Sequence, residues 1–84
     1  MDFELVFDKK AVKALQRLPL EIRRRIFSKL VEAKKDPYRF FERLSGRLDY
    51  KLRVGAYRVI ADLRQDHERI QITKAGHRKH TYER

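Results

Sequence analysis

The stretch DYKLRVGAYRVIADL, residues 49–63, leaves this chain little choice of local structure. Apolar and charged side chains alternate on both sides of Gly55-Ala56, the period of strands that are half in a core and half in water. A two-residue loop between two such runs reads as a tight hairpin, with Val54 opposite Tyr57 and Arg53 opposite Arg58. Leu48, Tyr50, Leu52 and Val54 then share one face with Tyr57, Val59, Ala61 and Leu63. The other face collects Lys51, Arg53 and Arg58, with Asp49 and Asp62 only toward the strand ends, so no carboxylate is expected beside the three cations. Like charges directly opposite on neighbouring strands are destabilising. That face is therefore expected to meet something negative.

The rest of the chain supplies the layer that covers the apolar face. In FELVF, Phe3, Leu5 and Phe7 share one side, as in a half-buried strand. Asp8 is placed to cap a helix with its side chain. Ala11, Leu15 and Leu18 follow at helical spacing; Pro19 ends that run and opens a second stripe of Ile22, Ile26, Leu30 and Ala33, widened by Phe27 and Val31. Asp36-Pro37 stops it, and Tyr38 to Leu48 reads as a connector turning at Ser45-Gly46. After the hairpin, RQDHE makes a turn and RIQITK a further strand with Ile70 and Ile72 inward. The expected fold is α+β in the order β-α-α-β-β-β, a helical hairpin packed on one face of a small antiparallel sheet. Residues 1–84 form a single domain in this reading.

Composition narrows the chemistry. With no cysteine there is neither a disulfide framework nor a thiolate metal site. The three His and scattered carboxylates offer no ligand spacing, and His77 and His80 are flanked by Arg78 and Lys79, so no metal and no cofactor are expected. No apolar run approaches a membrane span, and MDFELVFDKK lacks the layout of a signal peptide, which makes the expected location cytoplasmic. The high charge content and the absence of Asn, Cys and Trp match the bias of thermophile proteins. Twenty-two Lys and Arg face twelve Asp and Glu, a formal net charge of +10. The excess persists over residues 48–84, nine basic against five acidic, so it belongs to the folded part and suits a polyanion such as RNA or DNA.

A basic sheet face joined by GHRKHTY suits phosphate, whose oxygens guanidinium planes grip in pairs. RNA brings its own nucleophile in the 2′-OH. A site that cuts it needs only a proton acceptor, cations for the charge building on phosphorus, and a donor for the leaving oxygen. Tyr82, His77, His80 and Lys51 are the candidates for proton transfer, and each also has an ordinary reading as a packing or solvated residue.

On these segments — FDKKAVKALQRLP, IRRRIFSKL, RLSGRLDYKLRVGAYRVIADL and GHRKHTY — the chain resembles the RelE/ParE superfamily of bacterial and archaeal toxins, and is most similar to its RelE branch. The resemblance implies a microbial-ribonuclease-like fold and a type II toxin. Such a toxin is a metal-independent endoribonuclease that cleaves messenger RNA, typically in the ribosomal A site, and is held inactive by a RelB-like antitoxin. It places catalytic roles on Lys51, Arg58, Arg78 and Tyr82, and substrate-binding roles on Arg53, His77, Lys79 and His80. Arg53 stands where the best-known pattern has lysine; an arginine clamps charge but is a poor base, which shifts that role to Lys51 or Tyr82. With two residues after Tyr82, no counterpart of the C-terminal helix of some relatives is expected. Two other functions use the same features: a ParE-like inhibitor of DNA gyrase and a non-catalytic nucleic-acid-binding module. The expected antitoxin contacts are the apolar helix stripe and Ile60, which points to the polar side of its strand.

Overall fold

The structure, a computed structural model, describes residues 2–44 and 49–77. Its elements are β1 (Glu4–Phe7), α1 (Lys9–Gln16), α2 (Leu20–Ala33), α3 (Pro37–Phe40), β2 (Glu42–Arg43), β3 (Tyr50–Val54), β4 (Tyr57–Arg64) and β5 (Arg69–His77). They form a five-stranded sheet in the order β1-β5-β4-β3-β2. The hairpin register is the one its alternation dictates, with Val54 opposite Tyr57 and Arg53 opposite Arg58. Gly55 adopts φ +61° while Ala56 keeps a negative φ, the II′ pattern whose twist suits a two-residue loop.

The fold is α+β as the sequence implies, with three additions. The sheet is mixed rather than antiparallel throughout, because β1 runs parallel to β5, pairing Leu5 with Ile70 and Phe7 with Ile72. The expected connector contains structure of its own: Pro37, buried, opens the single turn of α3, and Glu42–Arg43 add a short edge strand to β3. The Ser45-Gly46 turn and Leu48 lie outside the described residues.

Asp8 sits at the start of α1, yet its side chain does not cap the helix. Its carboxylate instead accepts a hydrogen bond from the Gln71 side-chain amide on β5, and its backbone N–H donates to Ile72 O at 2.9 Å. The corner between β1 and α1 is thereby tied to the sheet. Pro19 begins α2 as expected, its carbonyl accepting from Arg23 N–H at 3.0 Å. The turn Gln65–His67 ends in Glu68 at φ 48°, a left-handed conformation that costs a side-chain-bearing residue about 1–2 kcal/mol.

Helices α1 and α2 pack on the face carrying Val59, Ala61 and Leu63, α1 against β5 and α2 against β3, and α3 packs against α2. Ile26, Leu30, Ile70 and Ile72 are essentially fully buried there, each contributing about 1.5–3 kcal/mol by leaving water. Phe27 and Val31 do not widen this stripe. They are 54% and 46% exposed and, with Leu20 and Val12, leave an apolar strip on the outside of the helical layer. A helix resting on a flat sheet buries a narrow arc, and the 27/31 flank of α2 lies outside it.

Candidate nucleic-acid interface

The face of the sheet turned away from the helices is set by strand parity. Arg58, Ile60 and Asp62 on β4 alternate with the core residues Val59, Ala61 and Leu63. In register beside them on β3 stand Arg53 opposite Arg58 and Lys51 opposite Ile60. On β5 the neighbours are Gly76 opposite Arg58, Lys74 opposite Ile60 and Gln71 opposite Asp62. Lys51, Arg53, Arg58 and Lys74 therefore form one patch, with Gly76 leaving room beside Arg58.

Lys74 was not expected in this patch. It has the parity of the inward residues Ile70 and Ile72, and unbroken alternation would drive it into the core. A β-bulge at Thr73 resets the phase: Ile60 pairs with Lys74 but Ala61 pairs with Ile72, and Thr73 Oγ1 donates to Ile60 O at 3.3 Å. Ala75 consequently takes the core side opposite Val59. The signal in the sequence is that conflict of phase, an apolar-inward run that would next bury a lysine.

The same shift decides where His77 goes. It ends β5 opposite Tyr57, and the two rings meet edge to face with centroids 5.5 Å apart, on the helix side of the sheet. The structure thus does not bring His77 to the cationic patch. Arg78, Lys79, His80 and Tyr82 lie outside the described residues.

Burial grades the patch. Arg58 is 8% exposed, so its guanidinium is held nearly in the sheet, while Arg53 and Lys74 reach into solvent. Lys51 is intermediate, and a carboxylate does answer it: Glu42 on β2 lies 3.7 Å from its ammonium, supplied by the strand the sequence reading left as connector. Glu42 is itself mostly in water, so the contact is weak and yields readily to a stronger anion. Ile60, between its cross-strand partners Lys51 and Lys74, is only 2% exposed. It is not available as a docking point.

Carboxylates concentrate at the opposite end of this face. Arg64 lies 3.6 Å from Asp62 and 3.9 Å from Asp66, and Arg69 lies 3.7 Å from Glu4. The face is therefore polarised, neutralised at the Arg64 end and cationic at the hairpin end. Tyr38, near that neutralised end, has its hydroxyl pushed up by burial first and then by Tyr50, Asp62 and Asp66, so it keeps its proton and does not serve as a base. Among the described residues no three His, Asp or Glu side chains gather to hold a metal ion. Arg53 and Arg58 on directly opposite positions, with Lys51 and Lys74 at the neighbouring register positions, make a cationic surface whose chemistry suits phosphate.

Comparison with known proteins follows the same lines. The family model of the ParE toxins of type II toxin–antitoxin systems (parDE) matches residues 5–82. No curated protein matches the sequence. Among solved structures, the chain is similar to one in the archaeal RelE–RelB complex from Pyrococcus horikoshii, at 30% identity and TM-score 0.76, covering 96% of this chain and all of that one. It has the fold of a chain in the RelBE2 toxin–antitoxin complex of Mycobacterium tuberculosis, at 20% identity and TM-score 0.83, covering 92% and 99%. It likewise shares the fold of a chain in the intact Escherichia coli RelBE complex, at 24% identity and TM-score 0.79, covering 98% and 99%.

Proposed function

Since the chain belongs to the RelE/ParE superfamily of type II toxin–antitoxin toxins and is of RelE type, we propose that it is an endoribonuclease that cleaves messenger RNA, at the ribosomal A site, in the cytoplasm. The observation that carries this reading is the patch itself: Arg53 facing Arg58, flanked by Lys51 and Lys74, on the sheet face no helix of the described residues covers. In it, Arg58 and Arg53 clamp the scissile phosphate and stabilise the charge that grows on phosphorus. Lys51 or Tyr82 takes the 2′-OH proton, and Arg78 or a histidine assists the departing 5′-oxygen, the histidine or a water molecule giving it the proton, with Lys79 and His80 along the flanking strand. Atoms balance without a cofactor: the 2′-oxygen bonds to phosphorus, the P–O5′ bond breaks, and the proton gained by the base is matched by one given to the 5′-oxygen.

Primer extension on a message translated in a cell-free system tests this, with wild-type protein beside Tyr82→Phe. The expected result is cuts within codons that require translating ribosomes and weaken by about 10²–10⁴-fold in the variant. Absence of cuts by the wild type, together with inhibition of gyrase supercoiling, would establish the second reading, which the match to the ParE family model favours.

The partner in this reading is a RelB-like antitoxin, as in the solved RelE–RelB complexes. Its amphipathic segment docks on the apolar strip of Leu20, Phe27 and Val31, beside a cleft of about 430 Å³ whose apolar wall of Phe7, Leu15, Ile26, Phe27 and Leu30 is edged by Arg23, Arg24 and Ser28. Phe27→Glu puts a charge at its centre. Affinity for the antitoxin is expected to fall about tenfold or more, as for a buried aromatic anchor, while the melting temperature stays within a few degrees because Phe27 is half exposed in the free protein. Isothermal titration with the purified antitoxin reads the first and thermal denaturation the second.

A further inference from the structure

Lys51, Arg53, Arg58 and Lys74 do not account for all the concentrated charge on the molecule. A second cleft, of about 480 Å³, opens between α2 and the tip of the β3–β4 hairpin. Arg24, Arg25, Ser28 and Lys29 line it from the helix, and Arg53 and Gly55 from the hairpin. Four cations meet there with one carboxylate, Glu32, which lies 4.0 Å from Lys29 in an exposed pair. Arg25 and Lys29 are four residues apart on one helix face, a like-charge spacing that weakens a helix unless an anion intervenes.

The hairpin tip is shaped to this cleft. Gly55 lacks a side chain, and an Arg25 guanidinium nitrogen lies 3.6 Å from where its Cβ would be. The helix cation thus reaches the space a side chain at the turn would occupy. The cleft offers what phosphate contacts commonly use: guanidiniums, an ammonium and a serine hydroxyl.

Continuity with the sheet face supplies the occupant. Arg53 lines this cleft and also stands opposite Arg58 in the cationic patch. Strand β2 pairs with only Tyr50 and Lys51 of β3, so among the described residues no strand covers the Arg53–Val54 edge between the two sites. We propose that this cleft is a second phosphate site, holding the backbone of the same RNA strand a few nucleotides from the bond that is cut. The inference rests on the ribonuclease reading above. An RNA strand fits better than an acidic peptide because Arg53 belongs to both sites, so one continuous chain of phosphates can engage the two.

The test uses the triple variant Arg24→Ala, Arg25→Ala, Lys29→Ala, which leaves Lys51, Arg53, Arg58 and Lys74 intact. Non-cleavable 2′-O-methyl RNAs of about 4 and about 16 nucleotides, a span typical of single-strand binding sites, are titrated at several salt concentrations. For the long RNA, the salt slope of log affinity is expected to be about two units shallower in the variant, since each single-strand phosphate contact contributes about 0.7. Its affinity near 0.1 M salt is expected to fall about a hundredfold, and the short RNA to bind both proteins alike. Equal slopes for the two proteins on the long RNA would overturn the second site. So would a variant that keeps its RNA affinity and loses antitoxin affinity instead, which would assign the cleft to an acidic protein segment. Wild-type protein that cuts messages while the slopes are equal would remove this inference alone. Wild-type protein that neither binds nor cuts RNA would remove the ribonuclease reading with it.

Discussion

Lys51→Ala is expected to lower single-turnover RNA cleavage by about 10²–10⁴-fold, the range spanned by losing a positioned proton-transfer group. The substitution separates chemistry from folding unusually well. Lys51 sits on the strand face away from the core and pairs with a carboxylate, Glu42, that is already mostly in water. Removing the amine leaves no buried charge behind, so stability should change by no more than about 1 kcal/mol. Lys51→Arg decides the role. An arginine keeps the positive charge but does not release a proton at working pH. If Lys51 is the base, Lys51→Arg is as inactive as Lys51→Ala; if it only clamps charge, Lys51→Arg recovers most of the rate. Wild-type cleavage by Lys51→Ala would take this residue out of the chemistry.

The largest effect on stability is expected at Leu30. It is fully buried under α2, against the sheet. Leu30→Ala removes apolar contacts and leaves a hole that the neighbouring backbone does not fill, at roughly 2–5 kcal/mol. In a domain of this size that corresponds to a fall in Tm on the order of 10–30 °C. Phe27→Ala, three residues earlier on the same helix, deletes a larger side chain yet is expected to cost only about 0.5 kcal/mol, because over half of Phe27 is already in water. Denaturant titration of the two variants checks the contrast. Similar losses would mean that α2 is rotated about its axis relative to the sheet.

The hairpin was fully legible, because period-two alternation and a Gly-initiated two-residue loop constrain register as well as structure type. So were the two long helices, from stripes interrupted at Pro19 and Pro37. The parallel placement of β1 was not, since pairing between strands 65 residues apart leaves no local signal. Nor was β2, two residues long and without apolar alternation. In the site, Lys51, Arg53 and Arg58 were read correctly to one face because they lie on the hairpin itself. Lys74 was missed because a bulge at Thr73 inverts parity for every later residue of β5, and because β5 runs on through His77 the same bulge turns that ring to the helix side. The exposure of Phe27 and Val31 escaped a reading that counts apolar residues on a helix without knowing how wide an arc the sheet can cover.

The position of β5 also bears on when the protein becomes able to harm the cell that makes it. This strand lies between β1 and β4, so the first strand synthesised and the main hairpin are joined only through the last of the five strands described. Until residues 69–77 are available, β1 has no partner, Lys74 is missing from the patch, and Ile70 and Ile72 are missing from the core. Closing a contact across so long a stretch is also entropically slow compared with forming the hairpin or the helices. A nascent chain therefore passes most of its synthesis as an incomplete sheet, and a chain stopped before β5 lacks both the central strand and the Lys74 corner of the patch.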